Sequence, residues 1–216
     1  MRKTLLLATA AMLSAPLQAQ FIDNTSPLVT ANNYLDLADA NGRIVAVGDR
    51  GKILYSDDQG GHWQAAQTPE DVLLTAVCFA DARNGWAVGH DAVVLGTRDG
   101  GESWTRIVEG LPDSGPVNVV REDPEQPGLL FAGTERNVYF SIDDGNNWND
   151  LRMNMPASSI RDLVVHEDDL VIGTHGRSIW VMDNLSLLRE IGAAQEADEA
   201  YLFTPALAWR VRGNMF

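Results

Sequence analysis

Ser141-Ile142-Asp143-Asp144-Gly145-Asn146-Asn147-Trp148 decides the fold, because the chain repeats it. Ser56-Asp57-Asp58-Gln59-Gly60-Gly61-His62-Trp63 and Thr97-Arg98-Asp99-Gly100-Gly101-Glu102-Ser103-Trp104 share the form Ser/Thr-x-Asp-x-Gly-x-x-Trp. Their tryptophans lie 41 and 44 residues apart (104 − 63 and 148 − 104). A degraded fourth copy ends in Trp180-Val181-Met182-Asp183, and Asp183 lies 40 residues after Asp143 (183 − 143). A repeat of about 40–45 residues is the length of one propeller blade.

Working outward, each copy follows two short β-rich runs. Ile44–Gly48, Gly85–Gly89, Leu129–Gly133 and Leu170–Gly173 are apolar runs closed by Gly. After a turn come Lys52–Tyr55, Ala92–Leu95, Val138–Phe140 and Ser178–Val181. Short runs bounded by Gly, Asp and Asn are hairpin grammar. The expected fold is all-β, a β-propeller of four-stranded antiparallel blades with four blades recognisable. Residues 1–19 read as a signal peptide, 20–33 as a lead-in, 34–191 as the repeats and 192–216 as a tail or closing segment. Three arrangements stay open: a closed four-bladed ring, an arc completed by self-association, or a shortened copy of a larger propeller.

The octapeptide has a physical logic. Asp58, Asp99 and Asp143 are expected to accept backbone N–H groups of their own turn, and Ser56, Thr97 and Ser141 to add a hydroxyl bond. Gly60, Gly101 and Gly145 supply the positive φ of the reversal. Trp63, Trp104 and Trp148 then open the outer strand and pack between blades. Asp183 marks the fourth turn. The acidic pair Asp57-Asp58 lacks the alternating ligands and closing Glu of a calcium loop, so no metal site is expected.

Composition narrows the function. The chain has 216 residues, with 16 Lys and Arg against 30 Asp and Glu, a net charge of −14. Such a surface repels phosphate backbones, so no nucleic-acid partner is expected. Arg2-Lys3, the apolar run Leu5–Leu13 and Leu17-Gln18-Ala19 make a secretory signal cut after Ala19, in preference to an uncleaved anchor. No Cys follows that run, so no lipid anchor is expected, nor any membrane span after cleavage. The address is periplasmic or secreted. The one cysteine, Cys78, sits in the apolar run Val77-Cys78-Phe79 and reads as core.

The repeats resemble the Asp-box, or bacterial neuraminidase repeat, superfamily. Val47–Leu54, Leu74–Val77 and Gly85–Asp91 resemble the photosystem II stability/assembly-factor-like family of non-photosynthetic bacteria. Pro116-Val117-Asn118, Arg121–Pro124, Gly133-Thr134-Glu135, Ile160–His166 and Gly173–Trp180 resemble sortilin-like propellers often labelled glycosyl hydrolases. Residues 200–212 are similar to the strand that follows the last blade in those proteins. The resemblance implies a propeller of the sialidase type used as a scaffold, without cofactor. It would assist assembly or stability of an envelope membrane complex or an exporter, through a protein partner. The alternative is a glycoside hydrolase of sialidase or xyloglucanase type, or its remnant.

No catalytic constellation stands out. A glycosidase needs two carboxylates about 5–9.5 Å apart, and Glu122-Asp123 and Glu167-Asp168-Asp169 read as solvated turns. The four histidines have no ligand spacing. Strand counting places the turns between second and third strands on the face opposite the octapeptides. Those turns hold Arg50, His90, Arg136, His175 and Arg177, a candidate binding face for a carboxylate or acidic peptide.

Overall fold

The computed structural model describes residues 22–151, 153–198 and 200–205. The expected signal peptide and Trp209 lie outside them. Strand β1 (Ile22–Asp23) and the short helix α1 (Pro27–Thr30) lead in. Blade one is β2 (Tyr34–Ala40), β3 (Arg43–Gly48), β4 (Ile53–Ser56) and β5 (His62–Ala65). Blade two is β6 (Leu74–Phe79), β7 (Gly85–Gly89), β8 (Val94–Thr97) and β9 (Thr105–Arg106). Blade three is β10 (Val117–Glu122), β11 (Leu130–Thr134), β12 (Val138–Ser141) and β13 (Asn149–Asp150). Blade four has β14 (Ile160–His166), β15 (Asp169–Thr174) and β16 (Ile179–Met182), and then continues into helices α2 (Ser186–Arg189) and α3 (Ile191–Glu196). Every blade is an antiparallel meander, and β1 extends the first by pairing with β5.

The missing outer strand has a cause in sequence. In the three complete octapeptides Gly follows Asp by two residues and Trp by five. After Asp183 those places hold Leu185 and Leu188. Without the glycine the tight turn gives way to a helical one, in which Asn184 Oδ1 accepts the Ser186 N–H at 3.2 Å. Leu188 is buried in the core between blades three and four.

Each innermost strand carries a one-residue register shift at the same place: between Tyr34 and Asp36, Leu74 and Ala76, Val117 and Val119, and Ile160 and Asp162. These bulges align the four blades residue for residue. Successive residues of a strand then face the next blade and the previous one in turn. Val45, Ile53 and Tyr55 of blade one meet Val77, Ala87, Leu95 and Trp104 of blade two. Trp86, Val88 and Val94 of blade two meet Val120, Leu130, Ala132 and Trp148 of blade three. Phe131, Val138 and Phe140 of blade three meet Leu163, Leu170 and Ile172 of blade four. Both faces of the middle blades are therefore apolar, which is why their strands read as continuous apolar runs. β2 packs on β6, β6 on β10 and β10 on β14. Among the described residues the series does not return from β14 to β2, and the propeller is an open arc.

Two sequence expectations are corrected here. Asp123 is not in a solvated turn: its side chain is fully buried and its Oδ2 accepts Arg189 Nε at 3.0 Å. Arg189 NH1 also binds Glu125 Oε2 at 2.8 Å and Asp168 Oδ1 at 2.5 Å, tying α2 to the first hairpins of blades three and four. A partner 66 residues away is invisible to local reading. Trp63 is only half-buried and belongs to no core cluster among the described residues, because no blade precedes the first. Trp104 and Trp148 are buried at junctions, with indole N–H groups donating to Gly101 O at 3.0 Å and Ile107 O at 2.9 Å. Trp148→Ala should lower the stability measured by urea unfolding by about 3–5 kcal/mol, and Trp63→Ala by only about 1 kcal/mol.

Candidate functional site

Strand direction alternates within a blade, so the arc has two ends. One end carries the octapeptide turns, which share one geometry. Ser56, Thr97 and Ser141 donate their hydroxyls to Asp58, Asp99 and Asp143 at 2.9, 2.8 and 2.7 Å. The same hydroxyl oxygens accept the N–H of Gly60, Gly101 and Gly145 at 2.8, 3.0 and 2.9 Å. Each Asp accepts a backbone N–H four residues on, from His62, Ser103 and Asn147 at 2.7, 2.9 and 2.8 Å. The three glycines have φ of 86°, 90° and 85°, where any side chain would be strained. Asp183 makes no such turn.

These bonds favour the charged carboxylate. Asp58 is held down to about 2, first by the His62 backbone N–H, then by the His62 ring and the Ser56 hydroxyl. For Asp99 and Asp143 burial pushes upward, but bonds from Ser103 and Thr97, and from Asn147 and Ser141, outweigh it and the net direction is down. A carboxyl lowered on folding contributes stability above its unfolded value near ~3.9 and loses it as pH falls through the folded value. Unfolding midpoints should hold from neutral pH to about 5 and drop below about 4. Asp143→Asn should cost about 1–2 kcal/mol at neutral pH and flatten that drop. An unchanged acid profile would contradict this.

The other end carries the turns between second and third strands. Arg50, with φ of 55°, tops the turn Asp49–Gly51. His90 N–H donates to Leu73 O at 2.9 Å, and His175 N–H to Ser159 O at 2.8 Å, so each turn rests on the segment entering its own blade. The Arg136 carbonyl accepts the Ser158 N–H at 3.1 Å, and that of Arg177 accepts the Trp180 indole at 2.8 Å. All five side chains are exposed. Arg50, Arg136 and Arg177 form no ion pair among the described residues, and no hydrogen bond joins these five side chains to one another.

What the structure does bring together is a cluster that sequence reading missed. The bulges leave Leu35, Thr75, Asn118 and Arg161 unpaired beside the axis of the arc. Asn118 Nδ2 donates to Glu135 Oε1 at 3.2 Å and to Ile160 O at 2.9 Å. Arg161 NH1 lies 3.5 Å from the same Glu135 oxygen, and NH2 lies 3.4 Å from His175 Nδ1. A guanidinium only donates, so His175 Nδ1 is the acceptor there. Glu135 is held below the usual carboxylate range, first by the Asn118 bond and also by Ser159 and Arg161, against a smaller upward push from burial. The visible signal was the successive polar pair Arg161-Asp162 between Ile160 and Leu163, a break in the strand's alternation.

Next to this cluster is an open hollow of about 480 Å³, lined by Asp36, Ala76, Cys78, Asn118, Arg121 and Asp162 among others. Arg121 NH2 binds Asp162 Oδ1 at 2.9 Å. Burial pushes the Cys78 thiol up to about 11, so it is no thiolate nucleophile at neutral pH. Among the described residues no three His, Cys, Asp or Glu side chains form a metal-binding group, and no helix is long and apolar enough to cross a membrane.

Known proteins share this architecture. The photosystem II assembly lipoprotein Ycf48 of Synechococcus sp. (strain CC9902) is 27% identical over 121 residues, 54% of this chain and 35% of its own. The chloroplastic photosystem II stability/assembly factor HCF136 of Arabidopsis thaliana is 25% identical over 123 residues, 53% of this chain and 30% of its own. The chain thus spans about a third of the length of these relatives. A solved structure of YCF48 bound to D1 peptide matches with a TM-score of 0.53 and 21% identity, over 70% of this chain and 51% of that one. The computationally designed protein Ika4 matches with 0.56 and 14% identity, over 71% and 92%. The GH74 xyloglucanase from Xanthomonas campestris matches with 0.57 and 14% identity, over 69% and 29%. At these identities the structures show the fold alone. Residues 18–180 match the family described as Photosynthesis system II assembly factor YCF48, and the chain belongs to that family.

Proposed function

We propose that this chain is a non-catalytic binding and assembly factor that holds an acidic segment of a protein partner at the end of the arc carrying Arg50, Arg136 and Arg177. The observation that carries it is the presence of an exposed arginine without an ion pair in three of four equivalent turns, on a chain of net charge −14. Turn geometry does not require arginine there. A guanidinium in a solvated turn is free to form a bidentate pair with a carboxylate. The photosystem II assembly relatives, and the related structure bound to a peptide, support the same role. The partner we propose is an envelope membrane complex or exporter, met on the periplasmic or outer side, where residues 1–19 would deliver the chain. The open ends of the arc support self-association as well.

The Arg50→Glu, Arg136→Glu, Arg177→Glu triple variant should keep the native unfolding midpoint. It should lose partner recovery in pull-down from envelope extracts, and the native chain should bind more tightly at low salt. Normal recovery by the triple variant overturns the reading. The hydrolase alternative draws on the xyloglucanase likeness, which concerns the fold. It requires release of sugar from xyloglucan or sialosides by the purified protein, whereas the binding reading expects none.

A further inference from the structure

We infer that two copies of this chain close head to tail into one ring, the free face of blade four of each copy packing on the free face of blade one of the other. This rests on the self-association part of the reading above and is independent of the partner-binding part.

The bulge-aligned register identifies the two faces. Ile53, Val94 and Val138 hold the same place on the third strands of blades one to three, and they are 2%, 0% and 0% exposed because the next blade covers them. On blade four that place is Ile179, 71% exposed. Two residues on, Tyr55 and Phe140 are 8% and 9% exposed, while Val181 is 53% exposed. Val164, Val171 and Val181 form a cross-strand row on this same face. At the opposite end of the arc, Val77, Val120 and Leu163 face the preceding blade and are 6%, 1% and 0% exposed. Their equivalent on blade one, Leu37, is 67% exposed. Leu54, further out on that face, is already buried, so the open ground lies at β2.

Each end of the arc therefore presents one half of the junction that the chain builds three times internally. The half missing from one end is the half offered by the other, and a second copy supplies it. Face-to-face pairing of two fourth blades would bring together two surfaces of the same type, which no internal junction does. A head-to-tail contact closes into a ring or runs on as a filament. Propellers typically have about 4–8 blades. Two four-bladed arcs reach the upper limit and three exceed it, so closure at two copies is the consistent outcome. The charge of −14 on each copy opposes the encounter, so added salt should favour the pair.

The test is the mass in solution by light scattering after size exclusion, on the full chain and on variants at each end. The native chain should have twice the mass of one chain, with the paired fraction rising with salt. Leu37→Asp alone, and Ile179→Asp with Val181→Asp, should each give single copies. Their circular dichroism and unfolding should stay native, because these side chains are exposed in the single copy. Mixing the two variants should restore a two-copy species, since each keeps one intact end. A single-copy native chain at all salt concentrations overturns the proposal. So does a pair that survives Leu37→Asp, or a mass that grows without limit. A single-copy chain that still recovers its partner from extracts would leave the binding reading standing.

Discussion

The constraint on which the rest depends is that a blade cannot cover its own faces. Val45 and Val47 point one way from β3, and Ala46 points the other. In the middle blades the alternate residues, such as Ala87 against Trp86 and Val88, are all buried. Covering a Val, Leu or Phe side chain stabilises by about 1.5–3 kcal/mol, and only a neighbouring blade supplies the cover. Stability is therefore a property of junctions, approximately additive along the arc as in other repeat proteins. The first and fourth blades are the weak members because each has one free face.

The octapeptide turns serve that constraint. Closing the turn with a Ser or Thr hydroxyl and an Asp carboxylate fixes where the following Trp enters the junction. Gly145 shows how tight this is: a Cβ there would come within 2.6 Å of Ile107 Cδ1. Where the glycine is absent, at Leu185, both the turn and the outer strand disappear together, and Leu188 with Arg189 takes over the covering and anchoring. The same end of the molecule therefore stays structural, and the opposite end is left with exposed turns for recognition.

Much of the fold was legible because its determinants are local. The repeat spacing, the Gly-closed runs and the turn chemistry are each readable within eight residues. The continuous apolar runs, such as Leu129–Ala132, followed from burial of both strand faces. What escaped reading was pairwise and distant. Asp123 looked like part of an exposed acidic turn because Arg189 lies 66 residues on. The Asn118, Glu135, Arg161 and His175 cluster depends on bulges, which shift register by one residue without a composition of their own. The turn arginines were visible, whereas the pairing of Arg161 with Glu135 and His175 needed the third dimension. Trp63 matches its two counterparts in sequence and differs only because nothing stands before the first blade.

Native-state hydrogen exchange tests the junction account most directly, on chain held single by Leu37→Asp. If junctions carry the stability, amides of β7 and β11, covered on both sides, exchange slowest, and those of β2 and β16 exchange fastest. Equal protection of β16 and β11 in that single copy would contradict it.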